Sequence, residues 1–339
     1  MHYGLILQNN RYKMKKILLL VLAIVFGYVA NAQDVVYFEF SDGIEGNLKS
    51  VMERNTSNLL TAINRAESTN SDINYTGISI DNLASQSIGM MWNNVRFRVL
   101  DEDIVEHCLS IKSSSGKVIG YQVRNIAVEM KPRDTTYIGD LNQEVCINFD
   151  RNGRISDFNI TMGLQQYVKL IKEGEHLDDL DRRMQILHWV EQFRNAYITK
   201  DINFMENVFS DDALIVTGKV VKRQKTDMKP ISVEYTTQGK QQYLNGLRNV
   251  FKNNAYVNVT FEEIKIVRHG AKPNYYGVTL KQGWNTKNYS KTDKYSDEGI
   301  VFIVWDFTDE FNPKIMVRTW QPMNVDDKEI FTLGNFKLN

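Results

Sequence analysis

Residues 185–322 carry one ordered series of elements, and that order leaves few folds open. A helix is predicted through QILHWVEQFRNAYITKD, a short helix that ends in FSDDALIVTG, and a third helix through KQQYLNGLRNVFKN. Four strand-like runs follow: YVNVTFEEIKIV, YYGVTLKQGW, GIVFIVWDF and KIMVRTWQP. Apolar residues three and four apart mark the helices, and alternation with a period of two marks the strands. Helices followed by a long antiparallel sheet describe a curved cone that closes round one pocket. The expected class is therefore α+β.

The preceding half repeats the order in a different sequence. VVYFEF reads as a strand, followed by Ser41-Asp42-Gly43. A long helix follows with Leu48, Met52, Leu59 and Ile63 on one face. Glu67 to Gly77 is polar and turn-rich, a second helix is expected over Ile80 to Asn93, and a third helical piece over Asp101 to Leu109. KVIGYQVRNIAVEM alternates as a strand. QEVCINF and GRISDFNITM flank Asp150-Arg151-Asn152-Gly153, and an Asn-Gly turn between alternating runs is a strong hairpin signal. The stretch from Leu164 to Asp181 is charged and reads as a connecting helix. The expected organisation is a first domain over 34–165, a linker helix over 166–182, a second domain over 183–324 and a tail over 325–339. The boundary is placed near Gly174–Asp178. The tail carries Ile330, Phe331, Leu333, Phe336 and Leu338, enough apolar surface to dock.

The first 32 residues have the form of a signal peptide. Lys15 and Lys16 precede an apolar run from Ile17 to Ala30, and Ala30-Asn31-Ala32 suits signal peptidase. That run is shorter than the roughly 20 residues a membrane span needs. Cleavage before Gln33 and export to the periplasm or beyond are expected, with Met14 as the translation start and residues 1–13 upstream of it. The segment holds four of the 41 basic residues and none of the 41 acidic ones, so the mature chain carries a net charge of −4. A mildly acidic chain is a poor nucleic-acid binder, because that affinity rests on neutralising phosphates. The basic run Lys219 to Lys229 reads as a solvated loop. The two cysteines, Cys108 and Cys146, read as small core residues rather than a bridge, although an oxidising compartment permits one.

The run TKDINFMENVFSDDALI resembles the opening of an NTF2-like domain, the fold shared with SnoaL-type polyketide cyclases and ketosteroid isomerases. Lys200-Asp201 match the helix-ending pair of that family, and Asp211-Asp212-Ala213 match its first-strand run. The resemblance covers 183–322 well and 44–162 by element order alone. The whole arrangement is similar to exported proteins of Bacteroidetes with tandem NTF2-like domains. It implies two cone-shaped domains, each with helices packed on a curved antiparallel sheet. Such folds host isomerases, cyclases, dehydratases, immunity proteins and binding modules, so function has to be read from the site.

Isomerase chemistry needs a carboxylate base in a dry pocket facing hydroxyl or acid donors. Asp212 is the carboxylate the resemblance places near the cone, and a local role at the strand start is its alternative. Asp201 reads as a helix N-cap. His188 is the second, weaker catalytic candidate, with no carboxylate in an evident dyad. Five histidines without a pair at ligand spacing give no expectation of a metal, and no cofactor is expected. Phe193, Tyr197, Tyr276, Trp284, Trp305 and Trp320 fall where they would wall the second cone, to grip an apolar ligand or simply to fill it. Arg318 is placed to meet an acidic ligand group or to pair with Asp306 on the neighbouring strand. In the first domain Trp92, Tyr121 and Arg124 are comparable, and the opposite parity of the last two keeps them from sharing a face. The expected role is non-catalytic binding of a small apolar ligand or a protein partner, with self-association open. The alternatives are an isomerase or lyase with one pocket carboxylate, and a structural module with filled pockets.

Overall fold

A computed structural model describes residues 34–113, 115–134, 136–137, 139–161, 177–220, 233–290 and 294–338, with backbone alone for 177–180. The signal-peptide segment, the boundary near Gly174 and nearly all of the basic run lie outside the described residues. The chain is α+β, and its described residues build two large, curved, largely antiparallel sheets and one two-stranded parallel pair. Each large sheet has its own helices and its own core.

The first half begins with β1 (Tyr37–Phe40), α1 (Gly46–Ser68) and α2 (Asn82–Asn94). Its strands are β2 (Val95–Val99), β3 (Asp103–Glu106), β4 (Leu109–Lys112), β5 (Val118–Pro132), β6 (Asn142–Asp150) and β7 (Ile155–Ile160). The main sheet runs β2-β5-β6-β7, with β4 paired to β5. Met52, Leu59 and Ile63 of α1 are buried against it, as the helical spacing requires. Trp92 is also core: it meets Phe97 edge-on at 5.5 Å and donates to the Ser71 carbonyl. At the β6–β7 turn Gly153 has φ +79°, a conformation that favours glycine, and a Cβ there would approach the Leu48 side chain to 2.9 Å.

The helix expected over Asp101 to Leu109 is absent. That stretch holds β3, which pairs in parallel with β1, and the start of β4. Its two β-branched residues alternate, Ile104 buried and Val105 exposed, so strand pairing overrides a weak helical pattern. Cys108 and Cys146 are buried free thiols.

The second half opens with α3 (Leu177–Ile198), which begins within the stretch read as linker, and continues through α4 (Ile202–Val208) to β8 (Phe209–Val220). The chain turns between the helices at Lys200, whose φ is +60°, and Asp201 then caps α4 by accepting from Phe204 N at 2.9 Å. Next come β9 (Val233–Gly239), α5 (Lys240–Asn253), β10 (Asn254–Arg268), β11 (Tyr275–Asn288), β12 (Lys294–Asp306) and β13 (Lys314–Pro322). These strands form one six-stranded sheet in the order β10-β11-β12-β13-β8-β9, antiparallel except at β13–β8. Edge strand β9 was not foreseen; most of its residues are exposed, so it lacks apolar alternation. The tail docks on the outer face of this sheet, where Phe336 stacks on Phe302 at 6.0 Å. No helix among the described residues is long and apolar enough to cross a membrane.

Helix α3 joins the two halves. Leu187, Val190, Phe193 and Tyr197 belong to the second core. The remaining face of α3 lies on the outside of the first sheet and is polar. Arg124 donates to Glu191 twice, at 3.0 and 2.6 Å, and Asn195 donates to Asn159 at 3.1 Å. Arg194 donates to the carbonyls of Ile160 and Thr161 at 2.7 and 3.0 Å. A bulge between Val123 and Ile126, with Asn125 at φ +65°, lets the first core face resume beyond Arg124. As expected from parity, Tyr121 packs on the first core while Arg124 faces the seam.

Candidate functional site

The second sheet curls round a set of aromatic side chains that alternation directs inward. Trp305 and Tyr276 sit opposite one another on β12 and β11, and Phe193 of α3 meets Trp305 edge-on at 6.4 Å. Phe193 also touches Tyr197, Phe209 and Phe261 at ring separations of 5.0, 5.8 and 6.2 Å. Phe193, Tyr197 and Trp305 have no exposed surface and Tyr276 almost none. The indole N–H of Trp305 is buried without a partner. Trp284 and Trp320 are only partly buried. Trp284 meets Tyr197 edge-on at 5.4 Å, and Trp320 lies over Gly299, where a Cβ would come within 2.4 Å of its ring.

A polar centre is set inside these rings. Arg318 faces into the cone beside Ile303 and Ile215, and its Nη2 donates to Gln282 Oε1 at 3.1 Å. Its guanidinium lies 5.5 Å from the centre of the Tyr243 ring and close enough to Tyr197 for that phenol to favour its charged form. The hydroxyls of Tyr197 and Tyr243 are in contact. Burial holds the Tyr197 phenol well above its ordinary pKa, so it is a neutral donor and acceptor. The pairing of Arg318 with Asp306 is not formed. Asp306 sits opposite Lys314 and accepts from Thr308, while Arg318 points inward.

Tyr243 and Gln282 were missed by sequence reasoning. Gln282 shares the inward parity of Leu280 and Trp284 in TLKQGW, so a polar residue at an inward strand position was the available signal. Tyr243 lies beside Leu244 on the stripe of α5 that reaches Leu247, and nothing in its own spacing separates it from core.

The two catalytic candidates lie outside the cone. Asp212 is exposed on β8 and its side chain makes no hydrogen bond among the described residues, whereas its neighbour Asp211 accepts from Lys240 at 2.7 Å. His188 sits at the seam. Burial lowers its pKa from the ordinary 6.5, against the opposite pull of Asp157 and Glu191, and its Nδ1 has no partner. It lines a cavity of about 420 Å3 together with Asp157, Gln192 and Glu310. A second cavity, of about 630 Å3, shares Asp157, Trp189 and Gln192 and is walled on its far side by Gln86 and Met90 of α2. The described residues contain no cluster of three His, Cys, Asp or Glu side chains able to hold a metal.

No family model and no curated protein matches the chain. Solved structures similar to it include an NTF2-like protein from Cytophaga hutchinsonii, at 15% identity over 42% of this chain and 98% of that one, with a TM-score of 0.32. Another is a nuclear transport factor 2 (NTF2-like) superfamily protein from Salmonella enterica, at 11% identity over 44% and 96%, with a TM-score of 0.33. A naphthalene 1,2-dioxygenase with indole in its active site is similar over 49% of this chain and 91% of that one, at 7% identity and a TM-score of 0.35.

Proposed function

We propose that the chain is an exported, non-catalytic binding protein that takes a small, largely apolar ligand into the cone of its second sheet. One observation carries this reading: a polar centre of Arg318, Gln282, Tyr197 and Tyr243 is enclosed by aromatic walls, with Trp284 and Trp320 part-exposed beside it. Ligand sites combine a mostly apolar lining with a few converging polar groups. Export rests on the segment Lys15 to Ala32, and the domain limits on the two separate cores.

The test is a titration with N-phenyl-1-naphthylamine, an uncharged apolar fluorophore, read by its emission and by the loss of tryptophan emission. Saturable binding that weakens in Trp284→Ala supports the reading. No saturable binding, or binding indifferent to Trp284→Ala, refutes it. The second reading, a structural module with filled pockets, rests on the complete burial of Phe193, Tyr197 and Trp305, and a negative titration favours it.

A further inference from the structure

Arg318 is 5% exposed and is charged at every pH the fold survives. Among the described residues no carboxylate pairs with it. Its contacts are Gln282, Tyr197 and the face of Tyr243, all neutral. Its Nε is buried and has no partner. Dipoles and a ring face orient a cation but do not neutralise it. An isolated buried charge is strongly unfavourable unless paired, and replacing such a group by an apolar one of similar volume often stabilises a protein. A guanidinium kept here at a cost in stability calls for a counter-charge that the described residues do not supply.

We infer that the ligand of this cone carries a carboxylate that pairs with Arg318. The inference rests on the proposed binding role of the cone and specifies its ligand class. The planar guanidinium fork matches a carboxylate in geometry and binds it through paired hydrogen bonds. Gln282 accepts from Arg318 through Oε1, which leaves its amide N–H2 free to donate to the same anion. The Tyr197 and Tyr243 hydroxyls bond each other, which leaves one O–H of the pair as a further neutral donor. One fixed cation balances one negative charge. A phosphate monoester would bring nearly two and leave the excess buried, so a singly charged acid fits better. Trp284 and Trp320 stand two residues beyond Gln282 and Arg318 on β11 and β13 and give the apolar body of such an acid its flat contacts.

The experiment compares 2-naphthoate with 2-naphthalenemethanol, which share an apolar body and differ in charge, by calorimetric titration of the full chain. The expected result is that the acid binds at least tenfold more tightly than the alcohol, and that Arg318→Met reduces this ratio to about one, while Arg318→Lys keeps part of it. Ligand-free Arg318→Met is expected to melt at or above the wild-type temperature. If the alcohol binds as well as the acid, the anion inference fails and the cone reading stands. If neither ligand binds, and the uncharged fluorophore does not bind either, both fail. A clear fall in the melting temperature of Arg318→Met also overturns the inference, because the chain would then already hold a counter-charge for Arg318.

Discussion

Replacing Glu191 with Gln removes the negative charge at the centre of the seam and leaves the shape almost unchanged. Glu191 is 1% exposed and Arg124 is 5% exposed, and the two share a bidentate contact. Arg194 lies close enough for Glu191 to favour its charged form. Glu191→Gln therefore takes a negative charge from two cations, whereas Arg124→Met leaves Glu191 with Arg194 for company. Breaking a buried pair by removing one partner costs about 3–5 kcal/mol. Glu191→Gln is expected toward the upper end of that range and Arg124→Met toward the lower. The double variant Arg124→Met/Glu191→Met should recover part of the loss, because the apolar pair needs no counter-charge of its own while Arg194 still loses that of Glu191. Urea unfolding of wild type, both single variants and the double variant at pH 7 gives the cycle directly. Single variants that lose less than about 1 kcal/mol, or losses that simply add in the double variant, would refute the claim that this pair is buried and mutually dependent.

Burial lowers the His188 pKa below 6.5, so the unfolded chain binds more protons than the folded one as pH drops past that value. Stability should therefore fall with pH in that window, and His188→Gln should flatten the fall; a stability–pH curve unchanged by the substitution would contradict it. Gly299→Ala would place a Cβ 2.4 Å from the Trp320 ring and 2.5 Å from the Gln321 carbonyl, so a loss of about 1–3 kcal/mol and a shifted tryptophan emission are expected. An unstrained, equally stable variant would mean that the close approach is wrong. Removing 326–339 uncovers Phe302 and Val317 on the outer sheet face, and concentration-dependent self-association is expected by light scattering. Unchanged mass and melting temperature would show that the tail covers nothing of consequence.

The second sheet was legible because each of its long strands carries its own pattern. VNVTF, GVTL and IVFIVW alternate or run apolar between clear turns, and these runs are strands in the structure. Local patterning failed where a segment's role is set by a distant partner. Ile104-Val105 became a strand only because β1 lies beside it. Edge strand β9 is mostly exposed and carries no apolar signal. Helix α3 is buried on two sides by different chemistry. Its apolar face was readable, but Glu191, Arg194 and Asn195 look like an ordinary solvated face until the first sheet is placed against them. The candidate site divided in the same way. The inward aromatics followed from strand parity, whereas the direction of Arg318 depended on the curl of the whole sheet.

The seam between the halves is polar, and this decides how separable they are. Arg124, Gln122, Asn159 and Thr161 are buried on one side, and Gln185, Glu191, Arg194 and Asn195 on the other. Parting the halves exchanges their mutual hydrogen bonds for bonds to water, at a net cost of about 1 kcal/mol for a typical bond and about 1.5–3 kcal/mol for one to a charged group. The apolar loss is small, because each half keeps its own core and only Ile198 of α3 packs into the first. A fragment spanning 177–339 is therefore expected to fold alone, with mixed helix and strand in its circular dichroism and a cooperative thermal transition. The free energy of parting also caps the effect of Glu191→Gln, since a variant whose seam has lost that negative charge can open and solvate the two cations. A loss of about 3–5 kcal/mol in that variant thus requires a seam worth at least as much. If the loss stops near 1 kcal/mol while 177–339 folds well, the halves part readily. A fragment without a cooperative transition would instead mean that the first sheet is part of what holds α3 and the second core in place.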